Sequence, residues 1–144
     1  MITEITIARG PPRLGRNQQT TARDTPDSLR ATQPAPQFFS SQVSEARRFY
    51  LDLAPPATRP LAVVCGGFEC SASDYAIDRS DFPYFGIEFV AHGEGTAVLS
   101  GKATPLLPGS VFVYGPGVPH RITTDRNDPL AKYFVAFAGR RAAA

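Results

Sequence analysis

The stretch Leu106–His120, LLPGSVFVYGPGVPH, places a short apolar run between two turns. Pro108-Gly109 precedes the run Ser110–Tyr114, and Gly115-Pro116-Gly117 follows it. β-branched and aromatic residues bounded by glycine and proline are typical of a strand between tight turns. The stretch ends on His120, one of only two histidines in the chain, so the role of this side chain bears on whether the protein binds a metal.

Similar short runs occur along the whole chain from Leu61 onward, separated by turn residues roughly every 8–12 positions. We predict strands at Leu61–Cys65, Tyr75–Asp78, Phe85–His92, Thr96–Leu99, Ala103–Leu106, Ser110–Tyr114, His120–Thr123 and Leu130–Ala138. Gly66-Gly67 is interpreted as a break after the first of them. Ser100-Gly101 predicts a two-residue hairpin turn, because glycine accepts a positive φ angle without a Cβ clash. The pattern indicates an all-β sandwich or barrel.

The N-terminal third of the chain has a different character. Residues 1–40 hold five prolines and show no sustained period, which predicts a mobile arm. Ser44 is a suitable cap for a short helix over residues 44–53, SEARRFYLDL, which Pro55-Pro56 would end. The predicted organisation is therefore an arm at 1–40, a short helix and linker at 41–60, and a barrel at 61–140.

Composition limits the classes of partner. The chain has 144 residues, 42% of them hydrophobic and 19% charged, as expected for one soluble domain. Residues 60–139 carry five Lys/Arg against eight Asp/Glu, the opposite of the charge that binding to a phosphate backbone requires. Neither a membrane-spanning run nor a signal-like N-terminus is present, so we expect a cytoplasmic protein that does not bind membranes.

The order and spacing of five short motifs resemble a known family. They are Ile77–Arg79 (IDR), Gly93–Thr96 (GEGT), Pro108-Gly109 (PG), Pro116–His120 (PGVPH) and Phe134–Phe137 (FVAF). Over residues 65–139 the chain resembles the cupin-like N-terminal ligand-binding and dimerisation domain of AraC-family transcription regulators. The resemblance implies a cupin-like double-stranded β-helix, a jelly-roll barrel, that holds a small effector. It also implies a homodimer that reaches DNA only through a C-terminal helix-turn-helix domain, which this sequence does not contain.

The metal ligands of the cupin motif are incomplete. Phe82 and Tyr84 stand where the resemblance places two histidines, which leaves Glu88 and His120. A transition metal needs about three or four such ligands, so we expect no metal and no other cofactor. Three interpretations of His120 stay open: a metal ligand, a structural histidine that donates to a backbone carbonyl, or a polar contact at the mouth of the pocket.

The resemblance also implies a set of ligand-binding residues. Arg79, Ile122, Lys132 and Phe134 correspond to pocket positions of arabinose-sensing members, while Glu88 would share the inward face and His120 would lie at the mouth. An arginine fork, a carboxylate and an aromatic floor suit a sugar or sugar acid. Two plainer interpretations also stay open: Arg79 pairs with Asp78 or Asp81 at the surface, and Phe134 is ordinary core.

Function is then predicted to be effector sensing without catalysis, and no catalytic residue is assigned. The alternative is a small cupin enzyme, either a sugar isomerase or epimerase or a metal-dependent dioxygenase. Without a metal, paired acid and base groups such as Glu88, His120, Tyr84 and Lys132 would have to face the substrate. A third possibility is an interaction domain that binds no small ligand.

Overall fold

The structure of the protein, a computed structural model, describes residues 38–143. The arm predicted for residues 1–40 lies outside this part, apart from its last three residues. The described chain forms nine strands. They are β1 (Val43–Tyr50), β2 (Ala62–Ser71), β3 (Ala76–Arg79), β4 (Phe85–His92), β5 (Gly95–Leu99), β6 (Lys102–Leu106), β7 (Val111–Tyr114), β8 (His120–Thr124) and β9 (Ala131–Ala138).

The strands form two antiparallel sheets that face each other. The five-stranded sheet has the order β1-β2-β9-β4-β7, and the four-stranded sheet has the order β3-β8-β5-β6. Because successive side chains of a strand point to opposite faces, each sheet contributes every second residue to the space between them. Val64, Val90, Ile122 and Leu130 are fully buried in this space. The all-β prediction is thus confirmed.

The eight predicted strands correspond to β2–β9, and the bounds of β4 are those predicted. The hairpin turn is also found, with positive φ angles of 48° at Ser100 and 82° at Gly101 and with Leu99 paired to Lys102. The predicted break is misplaced, because β2 continues through Gly66-Gly67 to Ser71. These glycines permit a close approach of β1: a Cβ atom on Gly67 would lie 2.2 Å from the carbonyl oxygen of Arg47.

The helix predicted at 44–53 is wrong. Residues Val43–Tyr50 form β1, which pairs antiparallel with β2 so that Arg48 lies opposite Gly67. A helix of this length is marginal alone, whereas the strand gains a full ladder of hydrogen bonds to β2. As a strand, β1 places Phe49 and Tyr50 on opposite faces of the sheet, not on one helical stripe.

No helix among residues 38–143 is long and apolar enough to cross a membrane.

Candidate ligand-binding site

A small cavity lies between the two sheets. Its volume is about 30 Å³, enough for roughly one water molecule. Four charged residues, Glu69, Arg79, Glu88 and Lys132, contribute to its wall. The remaining wall is largely aromatic, with the rings of Phe38, Phe39, Tyr75, Phe82, Tyr114 and Phe134. Charged groups and ring faces therefore converge on one point of the interior.

Lys132 is the centre of the charged group. It lies on β9 with β2 and β4 on either side, and its Nζ is 2.6 Å from Oε2 of Glu88 and 3.6 Å from Oε2 of Glu69. All three side chains are buried. The Nζ also lies 5.3 Å from the ring centroid of Tyr75, within the range of a cation–π contact. The register explains the convergence, because Glu69 pairs with Lys132 and Glu88 with the inward-facing Phe134.

Glu69 has a second cation on the edge strand. The Nε of Arg48 donates to its Oε1 at 2.8 Å, and the Nη2 of Arg48 donates to the carbonyl oxygen of Ser40 at 3.0 Å. The guanidinium also lies 4.7 Å from the ring centroid of Phe39. Arg48 therefore joins the buried carboxylate to the segment Phe38–Ser40. The two buried carboxylates are matched by two cations, Arg48 and Lys132.

Tyr114 completes the coordination of Glu88. Its hydroxyl donates to Oε1 of Glu88 at 2.8 Å, while Oε2 receives the Lys132 ammonium. The ring lies close above the backbone of Gly86, where a Cβ atom would come within 2.5 Å of it. A residue with a side chain at 86 would therefore displace the tyrosine. The absence of a side chain at Gly86 therefore allows the Tyr114 ring to lie above β4.

The pKa values of the interior groups follow from these contacts. Burial alone would lower the pKa of Lys132, but the carboxylate of Glu88, with Tyr75 and Glu69, raises it above its ordinary value. Burial raises the pKa of Tyr114 well above its ordinary value, and the charge of Glu88 adds to the effect. Burial likewise raises the pKa of Tyr75. At neutral pH the lysine is charged and both phenols are protonated.

Arg79 differs from the other charged residues of the cavity wall, which are paired with one another or with Arg48. It lines the same cavity, yet within residues 38–143 it forms no ion pair with any carboxylate. Asp78, one of its predicted surface partners, is 3.7 Å from Arg121 instead. The guanidinium of Arg79 lies 6.0 Å from the ring centroid of Phe82. The cavity therefore carries one cation whose charge is not compensated by the described part of the chain.

The segment Phe38–Ser40 closes the cavity. Phe38 lies edge-on to Phe82 with 5.5 Å between the ring centroids, and Phe39 lies 5.7 Å from Phe134. Ring contacts of this kind and the hydrogen bond from Arg48 hold the segment against the barrel. Removal of these two rings would enlarge the space beside Arg79 and Lys132.

Two predicted site residues lie away from the cavity wall. Ile122 is fully buried between the sheets, opposite Ile77 and Ala97 in the ladders of β8. His120 is buried and stacks on Tyr114 with 4.2 Å between the ring centroids. Its Nδ1 lies 2.9 Å from the carbonyl oxygen of Val118, which fits the structural interpretation of this histidine. Its Nε2 is buried with no hydrogen-bond partner among the described residues.

The remaining predicted residues, Arg79, Glu88, Lys132 and Phe134, do come together on the cavity wall. In the described part of the chain, no group of three or more His, Cys, Asp or Glu side chains is arranged to hold a metal ion. Phe82, at a position implied for a ligand, is buried among rings, and the Tyr84 hydroxyl donates to the carbonyl oxygen of Leu53 at 2.6 Å. These residues do not fit a cupin metal centre.

Sequence reasoning misses Arg48, Glu69, Tyr75 and Tyr114. Arg48 falls in the predicted helix, and Glu69 follows the predicted break at Gly66-Gly67, so neither is placed on an inward face. Tyr114 has a usable signal, because it ends a predicted strand with the same parity as the buried Phe112.

Comparisons with known proteins agree with this architecture. Residues 62–144 match the family model of the AraC-like ligand binding domain. The cupin domain of Cnp3 from Schizosaccharomyces pombe aligns with a TM-score of 0.51 at 10% identity, over 65% of this chain and 62% of that one. A Cupin 2 conserved barrel domain protein from Salinispora arenicola CNS-205 aligns with a TM-score of 0.49 at 18% identity, over 72% and 85% of the two chains.

A third similar structure belongs to a longer protein. Salicylate 1,2-dioxygenase from Pseudaminobacter salicylatoxidans aligns with a TM-score of 0.49 at 19% identity, over 63% of this chain and 25% of that one. No curated protein matches the chain. At these identities the structural matches describe the fold alone, which is a cupin-like barrel.

Proposed function

The chain belongs to the family of AraC-like ligand binding domains, and on that premise we propose that it is the effector-sensing and dimerisation domain of a transcription regulator. The proposed effector is a small molecule of the sugar or sugar-acid class, held between the sheets. DNA would be contacted by a separate helix-turn-helix domain, and the protein would act in the cytoplasm. The domain itself would perform no catalysis.

The uncompensated Arg79 carries this proposal. The other charges around the cavity are matched, Glu88 by Lys132 and Glu69 by Arg48. A guanidinium that faces a partly enclosed, ring-lined space binds a carboxylate through two parallel hydrogen bonds. Within the proposed class, this favours a sugar acid over a neutral sugar. Phe134 and the neighbouring rings would contact the apolar face of the sugar.

Ligand entry requires movement of Phe38–Ser40. The present cavity of about 30 Å³ is far smaller than the roughly 300 Å³ or more of ordinary ligand pockets. Displacement of the Phe38 and Phe39 rings would open the wall beside Arg79. We propose that the effector binds the open arrangement more tightly than the closed one, and so shifts the population between them.

The internal pairing supports a sensor over the alternative enzyme. A general acid or base needs a free position toward the substrate, but both oxygens of Glu88 are already engaged, by Lys132 and by Tyr114. The metal content of protein purified without chelator tests whether the chain is a metal-dependent enzyme instead. Stoichiometric iron, manganese, nickel or zinc would favour the dioxygenase alternative instead.

Thermal unfolding in the presence of candidate ligands tests the binding site. A sugar acid such as glucuronate, at about 100 times its Kd, should add about 2.7 kcal/mol to the free energy of unfolding. We expect Arg79→Ala to abolish this shift while the unliganded protein unfolds as before, because Arg79 forms no ion pair within residues 38–143. Arg121→Ala is the matched control, since Arg121 lies on the outside of the four-stranded sheet and pairs with Asp78. An equal response of the Arg79 variant and the wild type would refute the assignment.

A further inference from the structure

The outer face of the five-stranded sheet is apolar in its central rows on β2, β9, β4 and β7, while Arg47 continues one of these rows on the edge strand β1. One row across it is formed, in register, by Phe68, Tyr133, Phe89 and Val111. The rings of Phe68 and Tyr133 are 4.9 Å apart, and that of Phe89 is 6.4 Å from Tyr133. The next row contains Val135 and Ile87. All strands between residues 38 and 143 belong to the two sheets, so no strand from this part of the chain covers these side chains.

The other sheet shows what an ordinary solvent face looks like in this fold. Its outward positions include the ion pair of Asp78 with Arg121 and the threonines Thr96 and Thr123. Val98, opposite Arg121, and Ala103 beside it are the aliphatic residues of that row. The outer faces of the two sheets therefore differ in composition, although both sheets consist of antiparallel strands. Sheets with one solvated face alternate apolar and polar residues, and the five-stranded sheet departs from this rule.

Three aromatic side chains of this face are exposed to a large degree. Phe49, Phe89 and Tyr133 remain 42%, 41% and 54% exposed. With the partly exposed residues around them, the face presents on the order of 500 Å² of apolar surface, given the roughly 150–250 Å² of each aromatic side chain. A standard protein–protein interface buries about 800 Å² on each partner, rim included. The face thus supplies more than half of the area that such an interface buries on one partner, and its size lies within the roughly 300–600 Å² of the largest apolar patch on a monomer, which is often functional.

The distribution of charge fits a second copy of the same chain. Around Tyr133, on the central strand β9, the side chains of both rows are uncharged. The charges lie at the rim on β1, where Arg47 and Glu45 are 3.4 Å apart. A two-fold interface brings a patch against itself, so an uncharged centre avoids repulsion between like charges, and a rim with both signs is complementary to its own copy.

We propose that two copies of this chain pack through the outer face of their five-stranded sheets, with Tyr133 near the two-fold axis. This deepens the proposed dimerisation role by assigning its surface. It involves none of the charged or aromatic side chains of the cavity wall. Ligand binding and dimer formation can therefore be tested separately, and failure of one leaves the other standing.

Sedimentation equilibrium of the full chain tests the proposal. We expect the wild type to be dimeric at micromolar concentration and Tyr133→Glu to raise the dimer dissociation constant at least 100-fold. Val98→Glu, an apolar-to-acid change on the outside of the other sheet, should leave the dimer unchanged. A monomeric wild type, or an equally dimeric Tyr133→Glu variant, would overturn the proposal. In that case some other occupant, such as residues 1–37 or a different protein, would cover the face.

A cross-linking variant tests the position of the axis without adding a charge. In a Cys70→Ser background, Tyr133→Cys should form a disulfide between two copies under mild oxidation, whereas Val98→Cys should not. Cys65 is buried and does not interfere. A dimer that fails to cross-link through position 133 would refute the position of Tyr133 at the two-fold axis. A sugar-acid melting shift retained in Tyr133→Glu would show that the pocket proposal stands independently.

Discussion

Replacement of Lys132 by methionine tests the charged centre of the interior most directly. The change removes the ammonium 2.6 Å from Glu88 and 3.6 Å from Glu69, and among the described residues it leaves Arg48, paired with Glu69, as the one cation in an ion pair with these buried carboxylates. Breaking a buried pair by removing one partner costs about 3–5 kcal/mol, because the other charge is left without compensation. For a domain of this size each kcal/mol lowers Tm by about 4 °C, so a fall of roughly 12–20 °C is expected.

The double variant Lys132→Met with Glu88→Gln separates charge from packing. It removes one charge of each sign and keeps the pair of Arg48 with Glu69. Replacing both members of a buried pair is often close to neutral, so the double variant should be more stable than Lys132→Met alone. Urea unfolding at pH 7 supplies the free energies of unfolding of the wild type, of Lys132→Met and of the double variant. If the single variant stays within about 1 kcal/mol of the wild type, Lys132 does not compensate the buried carboxylates in the way its contacts indicate.

Two further predictions concern side chains of the interior. Gly86→Ala should destabilise the protein by about 1–3 kcal/mol in urea unfolding, because its Cβ would meet the Tyr114 ring within 2.5 Å; wild-type stability would contradict the packing described. The pKa values of Lys132, Tyr75 and Tyr114 are raised in the folded state, so the stability that these three groups contribute should be intact below pH 10.0, the ordinary pKa of a tyrosine, and fall above it. Alkaline titration monitored by circular dichroism measures the fall, and Tyr114→Phe should make it shallower.

Most of the barrel could be predicted from the sequence because its signals are local. Alternation with glycine and proline turns predicts eight strands, and Ser100-Gly101 predicts the hairpin. The edge strand β1 could not be found in this way. Its apolar residues also fit the period of a helix, and its actual state depends on hydrogen bonds to β2, about 20 residues later in the chain. Long-range pairing of this kind overrides local propensity.

The candidate site could be predicted in the part that the family resemblance covers. Glu88, Lys132 and Arg79 lie on the predicted strands β4, β9 and β3, but both faces of β9 are apolar, so alternation alone does not say which of them points inward. Arg48 escapes prediction because its place depends on the pairing of β1 with β2, and Glu69 escapes it because β2 continues past Gly66-Gly67 and pairs with β9. The closing role of Phe38 and Phe39 escapes it for a similar reason. Their ring contacts are with residues distant in sequence, and no local pattern marks them.

The edge strand β1 also has a practical consequence. Its alternate residues serve opposite sides of the protein: Arg48 reaches inward to Glu69 and Ser40, whereas Phe49 emerges on the outer surface. The interior and the exterior are therefore only one peptide bond apart on this strand. A substitution in β1 can be chosen to alter the cavity side or the outer surface, and residues 48 and 49 are the two positions that separate these effects.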